Sequence, residues 1–128
     1  MTKTALIVVD VQNDFLPGGS LAVPQGDQVI APLNRMIQRF VEAESPVVVT
    51  RDWHPRNHCS FKDQGGVWPP HCVAGTVGAE FSSELRLPEE VKIVSKATSP
   101  DAEAYSGFEG TELAAFAVDV RLRRRDTK

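Results

Sequence analysis

An acid, a lysine and an Asp-x-His pair stand just past the ends of three apolar runs. The runs are Ala5-Leu6-Ile7-Val8-Val9, Val47-Val48-Val49 and Val91-Lys92-Ile93-Val94. Asp10 follows the first, Asp52-Trp53-His54 the second and Lys96 the third. Runs of this kind read as buried parallel strands, and in an open α/β sheet ligands bind just beyond the carboxyl ends of such strands. Distant parts of the chain are thus expected to meet at one site. Asp52 and His54, two residues apart, point to one side if the backbone is extended. His58 and His71 follow in the same stretch. One carboxylate with two or three imidazoles is a mixed oxygen and nitrogen set. It suits zinc, iron or manganese rather than a structural thiolate site.

Each feature also has a plainer explanation. The histidines could be ordinary loop residues with water or backbone partners. A rival clip of His58-Cys59 and His71-Cys72 does not match the usual Cys-x2–4-Cys spacing. Asp10 could cap its strand, with Lys96 as a surface partner in a weak ion pair. The alternative is an acid–lysine pair that sets protonation beside a reacting group. Phe15, Trp68 and Tyr105 could be core aromatics. They fall in loops rather than on periodic faces, which favours a pocket for a planar ligand.

The elements that must position these groups follow a βαβ rhythm. After Asp10 comes a turn-rich loop, Phe15-Leu16-Pro17-Gly18-Gly19-Ser20. Val29, Ile30, Leu33, Met36, Ile37, Phe40 and Val41 recur at helical spacing, with Asp27 as a plausible cap and Pro32 in the first turn. The next strand starts after Pro46, and the unit is expected to be parallel and right-handed. From Arg51 to Phe81 the chain reads as loop, broken by Pro55, Gly65-Gly66 and Pro69-Pro70. Loops this long in compact domains tend to be functional. This one holds all three histidines, both cysteines and both tryptophans. A short helix is expected over Phe81–Leu87, a strand over Val91–Ser95 and another helix over Gly110–Phe116.

With 128 residues and 41% apolar content, the chain is sized for one domain. It has no apolar run of transmembrane length, and its first residues do not resemble a signal peptide. Two cysteines make no disulfide framework, so free thiols and a cytoplasmic location are expected. The net charge is −3, but the last eight residues hold five basic groups and one acidic group. Nine basic and sixteen acidic groups remain in the other 120. An acidic body of this kind is not expected to bind nucleic acid, and nothing points to a membrane. The basic end reads as a solvated tail.

The segment Ala5 to Phe15, with Pro17-Gly18-Gly19-Ser20-Leu21 after it, resembles the opening of nicotinamidases of the isochorismatase-like hydrolase superfamily. Asp52-Trp53-His54, Trp68-Pro69-Pro70-His71-Cys72, Ser95-Lys96 and Ala104-Tyr105-Ser106-Gly107-Phe108 resemble that family too, in order and spacing. The resemblance spans Thr4 to about Phe116. It implies an α/β fold with a Rossmann-like parallel sheet over residues 1–116, and a divergent basic tail over 117–128. It implies hydrolysis of nicotinamide to nicotinate and ammonia through a thioester, in NAD salvage. Asp10 would be the general acid/base and Lys96 the third member of the triad. Asp52, His54 and His71 would bind a divalent metal, with His58 as a further ligand. Phe15 and Trp68 would sandwich the pyridine ring and Tyr105 would line the pocket.

Family members place the nucleophilic cysteine after a fourth strand, downstream of a Gly-Phe-x-Gly-Thr segment. Here that segment is Gly107 to Thr111, and no cysteine follows it. The expectation is a sheet incomplete at its C-terminal side, prone to self-association through an exposed edge, and a chain without turnover of its own. The alternatives are a non-catalytic metal- and nicotinamide-binding fragment, or a superfamily hydrolase acting on another amide.

Overall fold

A computed structural model describes residues 4–117. The basic tail expected over 117–128 lies almost wholly outside the described residues. Three strands form a parallel sheet in the order β1-β2-β3. They are β1 (Leu6–Val9), β2 (Val47–Asp52) and β3 (Lys92–Lys96). The central strand is almost entirely buried, as expected for a continuous apolar run covered on both faces. Its last two residues, Arg51 and Asp52, are polar yet stay in register with Ser95 and Lys96. That register brings the Asp52 and Lys96 side chains to one end of the sheet.

Helix α1 (Ile30–Glu42) crosses from β1 to β2. Its Ile30, Leu33, Ile37 and Phe40 pack on Val8, Val47 and Val49. The helix ends at Ala43, and Glu44 takes a left-handed φ of 55° that turns the chain toward Pro46. Asp27 does not cap the helix. It lies in a 3₁₀ turn, Gly26–Val29, that precedes α1, and its carbonyl accepts from the Ile30 amide. On the opposite face Leu113 and Phe116 cover Val48 and Val94. The last helix begins at Leu113 rather than Gly110, where the Thr111 hydroxyl receives the Leu113 amide.

The helix expected over Phe81–Leu87 does not form. Phe81 pairs with Gln12, the Ser82 amide donates to Val11, and the Arg86 amide donates to the Asn34 side chain. Tertiary partners claim the backbone groups that a helix needs. No helix among the described residues is long and apolar enough to cross a membrane.

Strand β1 is an edge of the described sheet, and its Val9 and Ile7 are 61% and 38% exposed. An unpaired apolar edge is a template for association. The 128-residue chain is expected to elute as a dimer or larger species in size-exclusion chromatography, shifting toward monomer with Val9→Lys. A concentration-independent monomer of 14.0 kDa would show that the edge is covered.

Candidate active site

Three strand ends build the floor. The Asp10 amide donates to the Thr50 carbonyl, after which Asp10 takes a left-handed φ of 55° and leaves the sheet. A non-glycine residue at such an angle is held there by its surroundings. One carboxylate oxygen accepts from the Thr50 hydroxyl at 2.8 Å. The other faces Lys96 Nζ at 2.9 Å. Lys96, buried at the end of β3, also donates to the Asp52 carboxylate. A single ammonium thus bridges two acids.

These contacts set the charge states. Burial opposes ionisation of Asp52, yet its neighbours, the Lys96 ammonium among them, outweigh it and hold the carboxyl below the usual range. Burial also opposes charge on Lys96, but its bond to Asp52 and the charge of Asp10 raise the pKa. The pair therefore holds an ionised Asp52 against a protonated Lys96 at neutral pH.

The loop after β2 brings in the imidazoles. His54 forms a bridge with Val73: its amide donates to the Cys72 carbonyl and its carbonyl accepts from Ala74. This pairing carries His71 alongside. The amide of Cys72 donates to the Asp14 carboxylate at 2.8 Å, which ties the same stretch to the loop bearing Phe15. Phe61 and Trp68 form a second bridge, closing the intervening loop. A Cβ on Gly66 would lie 2.1 Å from the Ser60 carbonyl, so only glycine passes there.

His54 Nδ1 meets the Ala97 carbonyl at 2.9 Å, and His71 Nδ1 meets the Pro69 carbonyl at 2.8 Å. A carbonyl only accepts, so each Nδ1 carries the proton and each Nε2 is left with its lone pair. The Nε2 atoms lie 3.5 and 4.0 Å from one Asp52 oxygen. Donor atoms of Asp52, His54 and His71 all fall within 4.8 Å of one another. Burial opposes protonation of His71 more than its neighbours favour it, keeping the ring neutral. Two imidazoles, each oriented through its far nitrogen, and one carboxylate make a donor set that fits a divalent cation.

His58 was expected as a further ligand, and the structure places it otherwise. Its ring stacks on His54 at 4.1 Å between centroids. Its Nδ1 lies 2.6 Å from the Ser60 hydroxyl and its Nε2 lies 2.9 Å from the Ala102 carbonyl. The carbonyl fixes the proton on Nε2, and the serine hydroxyl fills the remaining lone pair. No nitrogen is left for a metal. With the Cys59 amide on the Pro100 carbonyl, His58 instead ties down the segment leading to Tyr105.

Asp10, Lys96, Asp52, His54 and His71 line one cavity of about 210 Å³ together with Phe15, Trp68 and Tyr105. Tyr105 stands at its rim, 75% exposed. Leu21, Glu103 and Ala104 also line it, and nothing in their spacing marks them. Thr50, Asp14 and Gln12 support the site and were likewise not singled out. A polar residue at the end of an apolar strand is the one signal that could have found Thr50. Neither cysteine lines the cavity. Cys72 is fully buried, and burial together with the Asp52, Asp14 and Asp10 carboxylates pushes its thiol pKa far up.

Comparison with known proteins follows the same lines. The isochorismatase domain family matches residues 4–121. The chain is 44% identical to a nicotinamidase/pyrazinamidase of Mycobacterium tuberculosis over 127 residues, covering 94% of this chain and 65% of that protein. It is 37% identical to the nicotinamidase of Escherichia coli, covering 84% of this chain and 58% of that one. The structure of a Pyrococcus horikoshii pyrazinamidase in complex with zinc superimposes with a TM-score of 0.89 at 56% identity, covering 92% of this chain and 65% of that one. The chain thus spans about three-fifths of the length of the relatives it matches. The strand-end acid and lysine, the parallel sheet and the family match agree, and this chain belongs to the isochorismatase domain family.

Proposed function

We propose that this chain carries the proton-transfer and ring-binding parts of a nicotinamidase, which converts nicotinamide to nicotinate and ammonia. The observation that supports this most is the shared cavity. Asp10 and Lys96 face one another at 2.9 Å, and the Asp52–His54–His71 set lines the same space. Relatives named for nicotinamide and pyrazinamide hydrolysis support the substrate class.

Asp52, His54 and His71 would hold a divalent cation: zinc, iron or manganese. When bound, the cation supplies a Lewis-acidic point for the pyridine nitrogen. Phe15 and Trp68 would stack on the ring, and Tyr105 would close the rim. Asp10 would take a proton from the attacking group and return one to the departing ammonia. Lys96, 2.9 Å from Asp10, would orient its carboxylate and stabilise negative charge that develops at the amide. A second reading, a binding module without turnover, draws support from the two cysteines, which stand outside the cavity.

Calorimetry on the zinc-loaded chain tests the proposal. Nicotinamide is expected to bind at least about tenfold more tightly than benzamide, which lacks the ring nitrogen. Trp68→Ala is expected to weaken nicotinamide by about 1 kcal/mol through lost stacking. Equal affinities for the two amides would remove the role given to the ring nitrogen.

A further inference from the structure

Strand β1 stops before β2 does. Its last backbone bond to β2 is the Asp10 amide on Thr50, after which the chain turns away. Asp52 lies two residues further along β2. On its β3 side the pairing continues, with the Trp53 amide on the Lys96 carbonyl. On its β1 side the Asp52 amide and carbonyl have no strand to meet, and both are buried. Unpaired, each such group would be costly.

Gln12 meets them with its side chain. Its Oε1 accepts from the Asp52 amide at 2.9 Å, and its Nε2 donates to the Asp52 carbonyl at 2.8 Å. The second Nε2 proton goes to the Ala79 carbonyl at 2.9 Å. The side chain is fully buried, and each polar atom of its amide has a partner. A peptide group offers one donor and one acceptor on adjacent atoms of a planar unit, and an amide side chain reproduces that arrangement. Glutamine also reaches far enough to stand in for the missing strand. The bond to Ala79 fastens this extra rung to the segment after residue 76.

We infer that Gln12 is a positioning residue for the cation site, holding the backbone of Asp52 so that its carboxylate faces His54, His71 and Lys96 together. Gln12 touches none of the donor atoms and acts through Asp52 alone. The inference rests on the metal reading above. Partners that orient a metal ligand typically change metal affinity by about 10–100-fold when lost.

The test measures zinc affinity of the full chain by competition with a chromophoric chelator. Gln12→Met keeps the volume and removes the amide, and Gln12→Glu keeps the acceptor and removes the donors. Both are expected to weaken zinc at least about tenfold and to shift the visible absorption of the cobalt-loaded chain. Ile37→Ala, a core change in α1 away from the site, serves as the control for general destabilisation and is expected to leave both readouts unchanged. In the unmodified chain the Gln12 side-chain amide protons and the Asp52 amide proton are expected to exchange slowly with solvent. Gln12→Met with zinc affinity equal to that of Ile37→Ala would overturn the inference. Rapid exchange of those protons in the unmodified chain would overturn it too, whether or not the variants fold. Failure of the unmodified chain to bind zinc would instead overturn the metal reading, and this inference with it.

Discussion

Incubated with nicotinamide, the 128-residue chain is expected to release ammonia no faster than about 10⁴-fold over the uncatalysed rate. Proton transfer by a positioned acid such as Asp10 contributes about 10²–10⁴-fold, whereas enzymes reach about 10⁶-fold and far beyond. The difference belongs to a nucleophile, and neither thiol of this polypeptide is placed to act as one. Cys72 is sealed in the core among carboxylates that oppose its thiolate. Cys59 lies outside the cavity. A reactive cysteine needs a cation or a helix N-terminus to lower its pKa, and correct aim besides. Cys59→Ser and Cys72→Ser should therefore leave ammonia release unchanged. Rapid turnover abolished by one of them would identify the nucleophile and refute the argument. Rapid turnover surviving both would assign the attack to a metal-bound water.

The second large effect is on metal content. After dialysis against zinc, the purified chain is expected to retain about one equivalent, measured by elemental analysis. His54→Ala and Asp52→Ala should each lower zinc affinity by about 100-fold or more. Each leaves two protein donors where a catalytic zinc site typically has three. His58→Ala should change it by no more than about threefold, because both nitrogens of that ring already bond to Ser60 and Ala102. The contrast between two histidines four residues apart separates a ligand from a stacked support. Equal zinc loss in His54→Ala and His58→Ala would make His58 a ligand after all. No zinc in the unmodified chain would remove the site.

The central strand was legible because parallel sheets bury continuous apolar runs, and Val47–Val49 is such a run; β3 was legible from Val91, Ile93 and Val94, although only Val94 of these is fully buried. The convergence of Asp10, Asp52 and Lys96 was legible for a related reason. Parallel strands put their carboxyl ends together, so a polar residue following each run marks the same edge. The partner of each group was not legible. His58 reads as a ligand because its neighbours are ligands. Its true acceptor, Ala102, lies in a segment whose approach no local spacing encodes. Gln12 was not singled out, because its role follows from the left-handed turn at Asp10, which leaves the Asp52 backbone unpaired on that side. Residues 81–87 show the converse. Their local preference for helix gave way to pairing with Gln12, Val11 and Asn34, and propensity is routinely overridden by such contacts.

The spacing of these residues along the chain also sets an order of assembly. Asp52, His54 and His71 belong to one stretch, and short loop closures among them carry a small entropic cost. Asp10 and Lys96 come from opposite ends of the described chain and meet only when both crossovers have closed. Cation binding would thus draw on one stretch of the polypeptide with Gln12 as its remote support, and proton transfer would draw on the completed sheet. A cation captured early in refolding would close the 52–71 loop and so shorten the chain that the sheet must still enclose.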